Sequence, residues 1–506
     1  MEPTPVCLII PPSPFLLDER VFPFLGILKV AASLEEAGYP VEVLDLSKIR
    51  NFLDVVEDYA RGSKADHFAL TATTPQFPSA VKISQAIRMV RPDAKNIIGG
   101  THATLVIAGM KAAKKSGRVG RAERDLIPLL QHFDVVVSGD GEKSIFGALV
   151  PDAPNIIDGD DRSSPYFLTN EALDATPLPA RHLIDLSTYH YTVAGAPATS
   201  IIAQLGCPYH CGFCAGRASP MLRNIRMRSD ESVVEELVGL YKTYGYTGFM
   251  FYDDELNVNP GMVSLMEKIA KTQRDLNVTF KLRGFVKSER FTAEQAEALK
   301  EAGFSQLLIG FESGSERILR NIRKIATVED NTRCVDIAHA HDLTVKALMS
   351  VGHPGESTET ISDTKRWLLA VRPEDFDCSI ITPYPGSPYY DQASLFGETP
   401  DGRNIWKYVI EPTAKEMAQG VGWSDVLYQV EVNYAEEADY YKGDPDDGYV
   451  SHVWTDFLNA DELVTERSNL EQDVREALGI RFNPSSPAML YEHSMGQPPP
   501  HILRKT

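Results

Sequence analysis

No apolar run in this chain reaches the roughly 18 residues that a bilayer crossing needs, and the N-terminus lacks a basic stretch followed by an apolar one. Both absences predict a soluble, cytoplasmic protein without a membrane partner. Positive charge is also short: 50 Lys and Arg face 70 Asp and Glu, for a net charge of -20. A nucleic-acid binder gains affinity by neutralising phosphates with a basic face. The one basic concentration, Lys111, Lys114, Lys115, Arg118, Arg121 and Arg124, reads as a solvated helix face or loop. Nucleic acid is therefore not expected as a partner. Cysteine is sparse, with six in 506 residues, and three of them crowd into one short stretch. A secreted disulfide framework would be more scattered. Cys7, Cys334 and Cys378 lie in apolar stretches and read as small buried hydrophobes.

What is present is alternation. A prior of roughly 150 residues per domain predicts about three domains. Short apolar strands are expected over 6–11, 41–46, 67–73, 96–99 and 135–138. A first helix runs to about Glu36 on Leu25, Leu28, Ala31 and Leu34, with Gly38 at its C-terminal cap. Strand–helix alternation implies a parallel sheet covered on both faces. The fold expected is α/β: a doubly wound, flavodoxin-like unit over 1–150 and a Pro-broken linker over 151–190. An open (β/α)6 partial barrel follows over 191–395, then an irregular, mainly helical region over 396–506 with one clear helix at about 460–478. Barrel strands are expected over 200–205, 248–253, 278–283, 306–311, 345–351 and 378–382. Thr292 and Gln295 form a capping box on a helix that Gly303 ends. In barrels of this kind chemistry sits at the carboxyl ends of the strands. The cysteines, Asp253-Asp254-Glu255, Arg283, Glu312-Ser313 and Gly352-His353-Pro354 all fall at or after such ends.

The stretch Gly206-Cys207-Pro208-Tyr209-His210-Cys211-Gly212-Phe213-Cys214 spaces its thiols by four and three. Soft thiolates select iron–sulfur clusters or zinc. Structural zinc sites come as paired Cys-x2-Cys or Cys/His motifs, and no second pair follows. Ordinary clusters take four cysteines, so three leave one iron open to a bidentate amino-acid end. His210 is either a fourth ligand or, as we read it, a loop-packing residue.

This loop resembles the Cys-x3-Cys-x-aromatic-Cys pattern of the radical S-adenosylmethionine (radical SAM) superfamily, with Phe213 in the aromatic place. The resemblance implies a [4Fe-4S] cluster on Cys207, Cys211 and Cys214 and an external electron donor of the flavodoxin or ferredoxin type. It gives S-adenosylmethionine to Tyr209, Phe213, Asp253, Asp254, Arg283, Glu312, Ser313 and Ser350. The aspartates would take its ammonium, although the family's usual glycines are absent. Glu312 would take ribose hydroxyls, or else act as a helix N-terminal carboxylate.

No Gly-x-Gly-x-x-Gly follows the first strand, which argues against a nicotinamide site, and no phosphate-binding Gly-x4-Gly-Lys-Ser/Thr loop appears. Together with the barrel, the strand-end loops resemble the cobalamin-binding domain of cobalamin-dependent radical SAM enzymes, as does Tyr491-Glu492-His493-Ser494-Met495-Gly496. The resemblance assigns cobalamin to Pro12, Ser13, Thr73, Thr74, Gln76, Gly99, Gly100, His102, Gly139, Gly141 and Glu142. The Asp-x-His-x-x-Gly motif that supplies a lower cobalt ligand is not found, so the cofactor's base would be displaced without a histidine from that motif. The implied activity is a methyltransferase, moving a methyl group from S-adenosylmethionine via methylcobalamin to an unactivated carbon of a small-molecule or peptide substrate. A cyclase or ring-rearranging enzyme is the alternative, and a non-catalytic corrinoid-binding protein a third reading. Trp406, Trp423, Tyr428, Tyr434 and Trp454 are either cavity lining or core.

Overall fold

The structure, a computed structural model, describes residues 4–13, 19–117, 121–418, 424–438 and 449–480. Arg118, Trp423 and the Tyr491–Gly496 motif lie outside them. The first sheet holds six parallel strands: β1 (Val6–Ile10), β2 (Val41–Asp45), β3 (His67–Thr71), β4 (Lys95–Gly99), β5 (Val135–Ser138) and β6 (Ile156–Asp158). Their order, β2-β1-β3-β4-β5-β6, reverses direction between β1 and β3, which is the switch point where such sheets receive ligands. β1 is buried along its whole length because helices cover both faces. The first helix, Leu25–Glu36, buries the expected Leu25, Leu28, Ala31 and Leu34. The sixth strand falls in the stretch expected to be linker; at three residues it carries too short a period to be read.

The second sheet uses β7 (Thr192–Val193), β8 (Ala196–Ile201), β11 (Gly248–Phe251), β12 (Lys281–Phe285), β13 (Phe304–Glu312), β14 (Thr344–Val351) and β15 (Asp375–Ile380). Between β8 and β11 lies a separate antiparallel ribbon, β9 (Gln204–Leu205) with β10 (Arg226–Met227). β8, β11, β12, β13, β14 and β15 run parallel in sequence order, an open six-unit half-barrel with β7 turned antiparallel at its edge. The first barrel strand ends earlier than expected, because Ile202 and Ala203 turn out of the sheet into the ribbon. β12 runs on to Phe285, so Arg283 lies within the strand and not after it. The capping box of Thr292 and Gln295 forms, and Gly303 ends that helix at φ +101°.

Past residue 393 the chain is less irregular than expected. A four-stranded antiparallel sheet, β16 (Ser394–Glu398), β17 (Asn404–Ile410), β18 (Asp425–Val430) and β19 (Val453–Thr455), precedes the helix Ala460–Leu478. Long connections separate β17, β18 and β19, so their pairing is not legible in local sequence. Arg121 is no solvated residue: it is 3% exposed, with its guanidinium 3.8 Å from the Tyr390 ring centre and 4.5 Å from that of Trp406. It fastens the first unit to this sheet. Cys7, Cys334 and Cys378 are buried, as expected. Among the described residues no helix is long and apolar enough to cross a membrane.

Candidate functional site

The cysteine loop is held almost entirely through its backbone. Asp253, just past β11, accepts the amides of Ala203 and Gln204 on one carboxylate oxygen, at 2.7 and 2.8 Å. Asp254 accepts the Gly206 amide at 2.6 Å. Gly206 sits at φ +89°, and a Cβ there would fall 2.1 Å from the Asn224 carbonyl oxygen, so only glycine fits. Cys207 donates its amide to Leu222 O at 2.9 Å, and Gly212 donates to Ile322 O at 2.7 Å. Arg223 donates to the Tyr209 carbonyl at 2.8 Å and to that of Pro208. His210 is exposed and faces the Arg223 guanidinium.

Cys207 and Cys211 are half-buried and Cys214 is exposed as a residue, although burial still raises its thiol. Burial pushes the Cys207 thiol up to about 12, a state that bound iron would reverse by taking the thiolate. Among the described residues no three His, Cys, Asp or Glu side chains gather closely enough for one metal ion. Three soft thiolates on one loop with a fixed backbone have the donor chemistry of an iron–sulfur cluster.

Around the loop stands a buried polar set. Glu312 ends β13 in the left-handed region, at φ +68°, a strained conformation for a residue with a side chain. One of its carboxylate oxygens meets Lys324 Nζ at 3.3 Å, and the other accepts the Ser350 hydroxyl at 2.9 Å. His353 Nε2 lies 2.8 Å from Ser350 Oγ, and its ring centre is 5.5 Å from that of Phe213. Burial lowers His353 to about 4, so it is neutral. Burial alone would lower the Lys324 ammonium, but Glu312, with Cys211 and Glu255 nearby, raises it. Lys287 Nζ lies 4.2 Å from the Tyr209 ring centre. Arg283 donates to the Tyr191 hydroxyl at 2.7 Å. Ser313 is buried, accepts the Ser315 amide at 3.1 Å and meets Thr364 Oγ1 at 3.1 Å, so it caps the turn after β13. Asp253 is 2% exposed, and burial raises it to about 7 against the pull of its two amides.

At the carboxyl ends of the first sheet lies a cavity of about 320 Å³. Its floor is apolar, built from Leu8, Ala69, Ile97 and Val137 against Leu25, Ile27 and Val30 of the first helix. Gly99, Gly100, Gly139, Gly141 and Glu142 line it, and the Gly139 amide donates to Thr104 Oγ1 at 3.0 Å, joining the two glycine loops. Charge enters through Lys29, Asp140, Glu142, Arg228 and Glu236. Burial, then the charge of Asp140, raises Glu142 to about 7. Ile202, Leu205, Met221 and Leu222, from the neighbourhood of the cysteine loop, close the far wall.

The remaining residues assigned to cobalamin are not brought to this cavity. Gln76 closes a capping box with Thr73 and donates to the Pro11 carbonyl at 3.0 Å, next to Pro12. Ser13 donates its amide to Glu19 at 2.7 Å. His102 is fully buried, stacks on Phe77 at 4.3 Å and meets Thr74 Oγ1 at 3.2 Å. Burial alone lowers it to about 3. Trp406, Tyr428, Tyr434 and Trp454 do not line the cavity either; Tyr434 is buried and donates to the Pro383 carbonyl at 2.8 Å. Sequence reasoning missed Lys29, Asp140, Met221 and Leu222. Asp140 lay inside a loop already singled out, whereas Met221 and Leu222 carry no signal of their own.

Comparison with known proteins agrees with this fold. The family model described as the Radical SAM superfamily matches residues 201–368, and that of the B12 binding domain matches residues 19–126. An uncharacterized methyltransferase of Pyrococcus horikoshii is 25% identical over 399 residues, covering 78% of this chain and 84% of that protein. The anaerobic magnesium-protoporphyrin IX monomethyl ester cyclase of Cereibacter sphaeroides is 23% identical over 406 residues, covering 74% of this chain and 61% of that one. The solved radical S-adenosylmethionine methyltransferase TsrM from Kitasatospora setae, with cobalamin and a [4Fe-4S] cluster bound, matches with a TM-score of 0.59 at 18% identity. That match covers 76% of this chain and 77% of that structure, and it supports the fold.

Proposed function

We propose that this chain, which belongs to the radical SAM superfamily and carries a B12-binding domain, is a methyltransferase acting on an unactivated carbon of a small-molecule or peptide substrate. The observation that carries this reading is a shared wall. Leu205, Met221 and Leu222 line the first unit's cavity, while the Leu222 carbonyl holds Cys207. One substrate could thus be reached from both sides. When bound, the cluster supplies the electron that cleaves S-adenosylmethionine, and the corrinoid carries the methyl group.

The chain's own part is binding and positioning. Cys207, Cys211 and Cys214 would hold the cluster. Tyr209, Phe213, Glu312, Ser350 and Arg283 would border S-adenosylmethionine, with Glu312 and Ser350 offering oxygens to its hydroxyls. Asp253, Asp254 and Ser313 serve it at one remove, through the backbone they fix. Gly99, Gly100, Gly139, Gly141 and Glu142 would receive the corrinoid beside the apolar slot. Pro12, Ser13, Thr73, Thr74, Gln76 and His102 would shape the loops beside it. We assign residues 1–150 to the corrinoid and 191–395 to the cluster, with 151–190 between them and 396–506 capping the substrate. The working place is the cytoplasm, where thiols stay reduced and a flavodoxin or ferredoxin can deliver the electron.

The test is anaerobic reconstitution with iron, sulfide and cobalamin, followed by reductant and methyl-labelled S-adenosylmethionine. Label recovered with the corrinoid supports the methyltransferase. Unlabelled corrinoid with released 5′-deoxyadenosine favours the cyclising reading, which relatives such as the cyclase keep open. A protein that holds corrinoid but neither takes label nor releases 5′-deoxyadenosine would be a binding protein.

A further inference from the structure

Between the two sites runs a segment, residues 219–228, whose contacts divide by side. Toward the first unit, Asp160 accepts the Ser219 hydroxyl at 2.5 Å and the Met221 amide at 2.8 Å on one oxygen. Asp160 is fully buried, just past β6. The buried Arg226 pairs with Asp140 at the cavity. Toward the second unit, the same segment holds the cysteine loop: Leu222 O takes the Cys207 amide and the Asn224 carbonyl packs on Gly206. Met221 and Leu222 also face the cavity. A group filling the cavity therefore presses on residues whose backbone supports the cluster loop.

We infer that residues 219–228 form a strap that couples the two cofactor sites, with Asp160 as the positioning residue that anchors it. This rests on the assignment of both sites above. A loaded cluster fixes the Cys207 amide on the Leu222 carbonyl and with it the Met221–Leu222 wall of the cavity, so it favours corrinoid binding, and by reciprocity the corrinoid favours the cluster by the same factor. Asp160 does not itself line the cavity; it holds the strap through its carboxylate and packs by its backbone behind Gly139. Its role is to fix Met221, and through Met221 the Leu222 carbonyl, at one height for both sites.

The test is the dissociation constant of hydroxocobalamin, measured by its visible spectrum on the full chain, with the cluster loaded and after anaerobic chelation of iron. The loaded protein should bind about fivefold or more tightly, the lower end of ordinary coupling. Asp160→Ala should bring the ratio to about one, with iron content and melting temperature measured alongside. Asp160→Asn keeps an oxygen acceptor and should restore the ratio. Ser219→Ala, a gentler change should Asp160→Ala not fold, should reduce it. Equal affinity in both wild-type forms, or an undiminished ratio in Asp160→Ala and Ser219→Ala, overturns the inference while leaving both sites standing. No binding of hydroxocobalamin in either form overturns the assignment of the cavity, and the strap with it.

Discussion

The two candidate sites occupy equivalent places, the carboxyl ends of parallel strands, yet they are built in opposite ways. The cysteine loop is closed by protein: Asp253, Asp254, Leu222, Ile322 and Arg223 each hold a named backbone group. The cavity after β4 and β5 is open, with glycines at its edge and Lys29, Asp140 and the buried Glu142 beside it. The first arrangement pre-organises ligands for a metal cluster, which tolerates little loop movement. The second keeps space and polar groups for a large, amide-rich molecule. The lesson is that the cluster loop is fixed by a set of backbone hydrogen bonds, whereas the cavity is bordered by glycines, apolar side chains and charged groups.

This contrast can be broken at several points. The largest effect should come from Cys207→Ser, Cys211→Ser or Cys214→Ser, each of which should abolish the brown absorbance and 5′-deoxyadenosine release while cobalamin still binds. Gly206→Ala should cost about 3 kcal/mol, from the left-handed backbone and the clash with Asn224 O, seen as a lower urea midpoint and poor iron retention. Asp253→Ala leaves two buried amides unpaired, at about 1–3 kcal/mol each, whereas Asp253→Asn keeps an acceptor and should recover most of the urea midpoint.

On the cavity side the effects should be smaller and depend on pH. Glu142 is raised in the fold, to about 7, above an unfolded value near 4.5. The folded state therefore binds the extra proton between these limits, and the stability of the ligand-free protein falls as pH rises across that window. Glu142→Gln should flatten that slope in urea titrations from pH 4.5 to 7.5 and leave iron content unchanged. The smallest effect on binding belongs to His102. His102→Ala should lower stability by about 2 kcal/mol through a core cavity, yet shift cobalamin affinity by less than about threefold. A far larger loss of affinity would return His102 to the site.

Much of this was legible in the residues. The alternation of strands and helices, the cap at Gly38, the capping box at Thr292 and the cysteine spacing all depend on local chemistry, so they could be read from local sequence. The glycine pairs at 99–100 and 139–141 could be read for the same reason. What escaped reading depends on distance along the chain. His102 follows the glycine pair in sequence, but it lies in the first turn of the helix Thr101–Lys115, and its side chain turns into the packing of Phe77 and away from the cavity. Asp253 looks like a cation ligand in sequence; only the tertiary fold brings the amides of Ala203 and Gln204, 50 and 49 residues away, onto its oxygen. The strap at 219–228 carries no motif because its role lies in what it touches on either side.

The central claim, that two cofactors face one another across a shared wall, is tested most directly by electron paramagnetic resonance on the doubly loaded, reduced protein. The account predicts that the paramagnetic cluster and cob(II)alamin broaden each other's signals and relax faster together than in singly loaded samples. Signals that simply add, with each cofactor present in full, would contradict it.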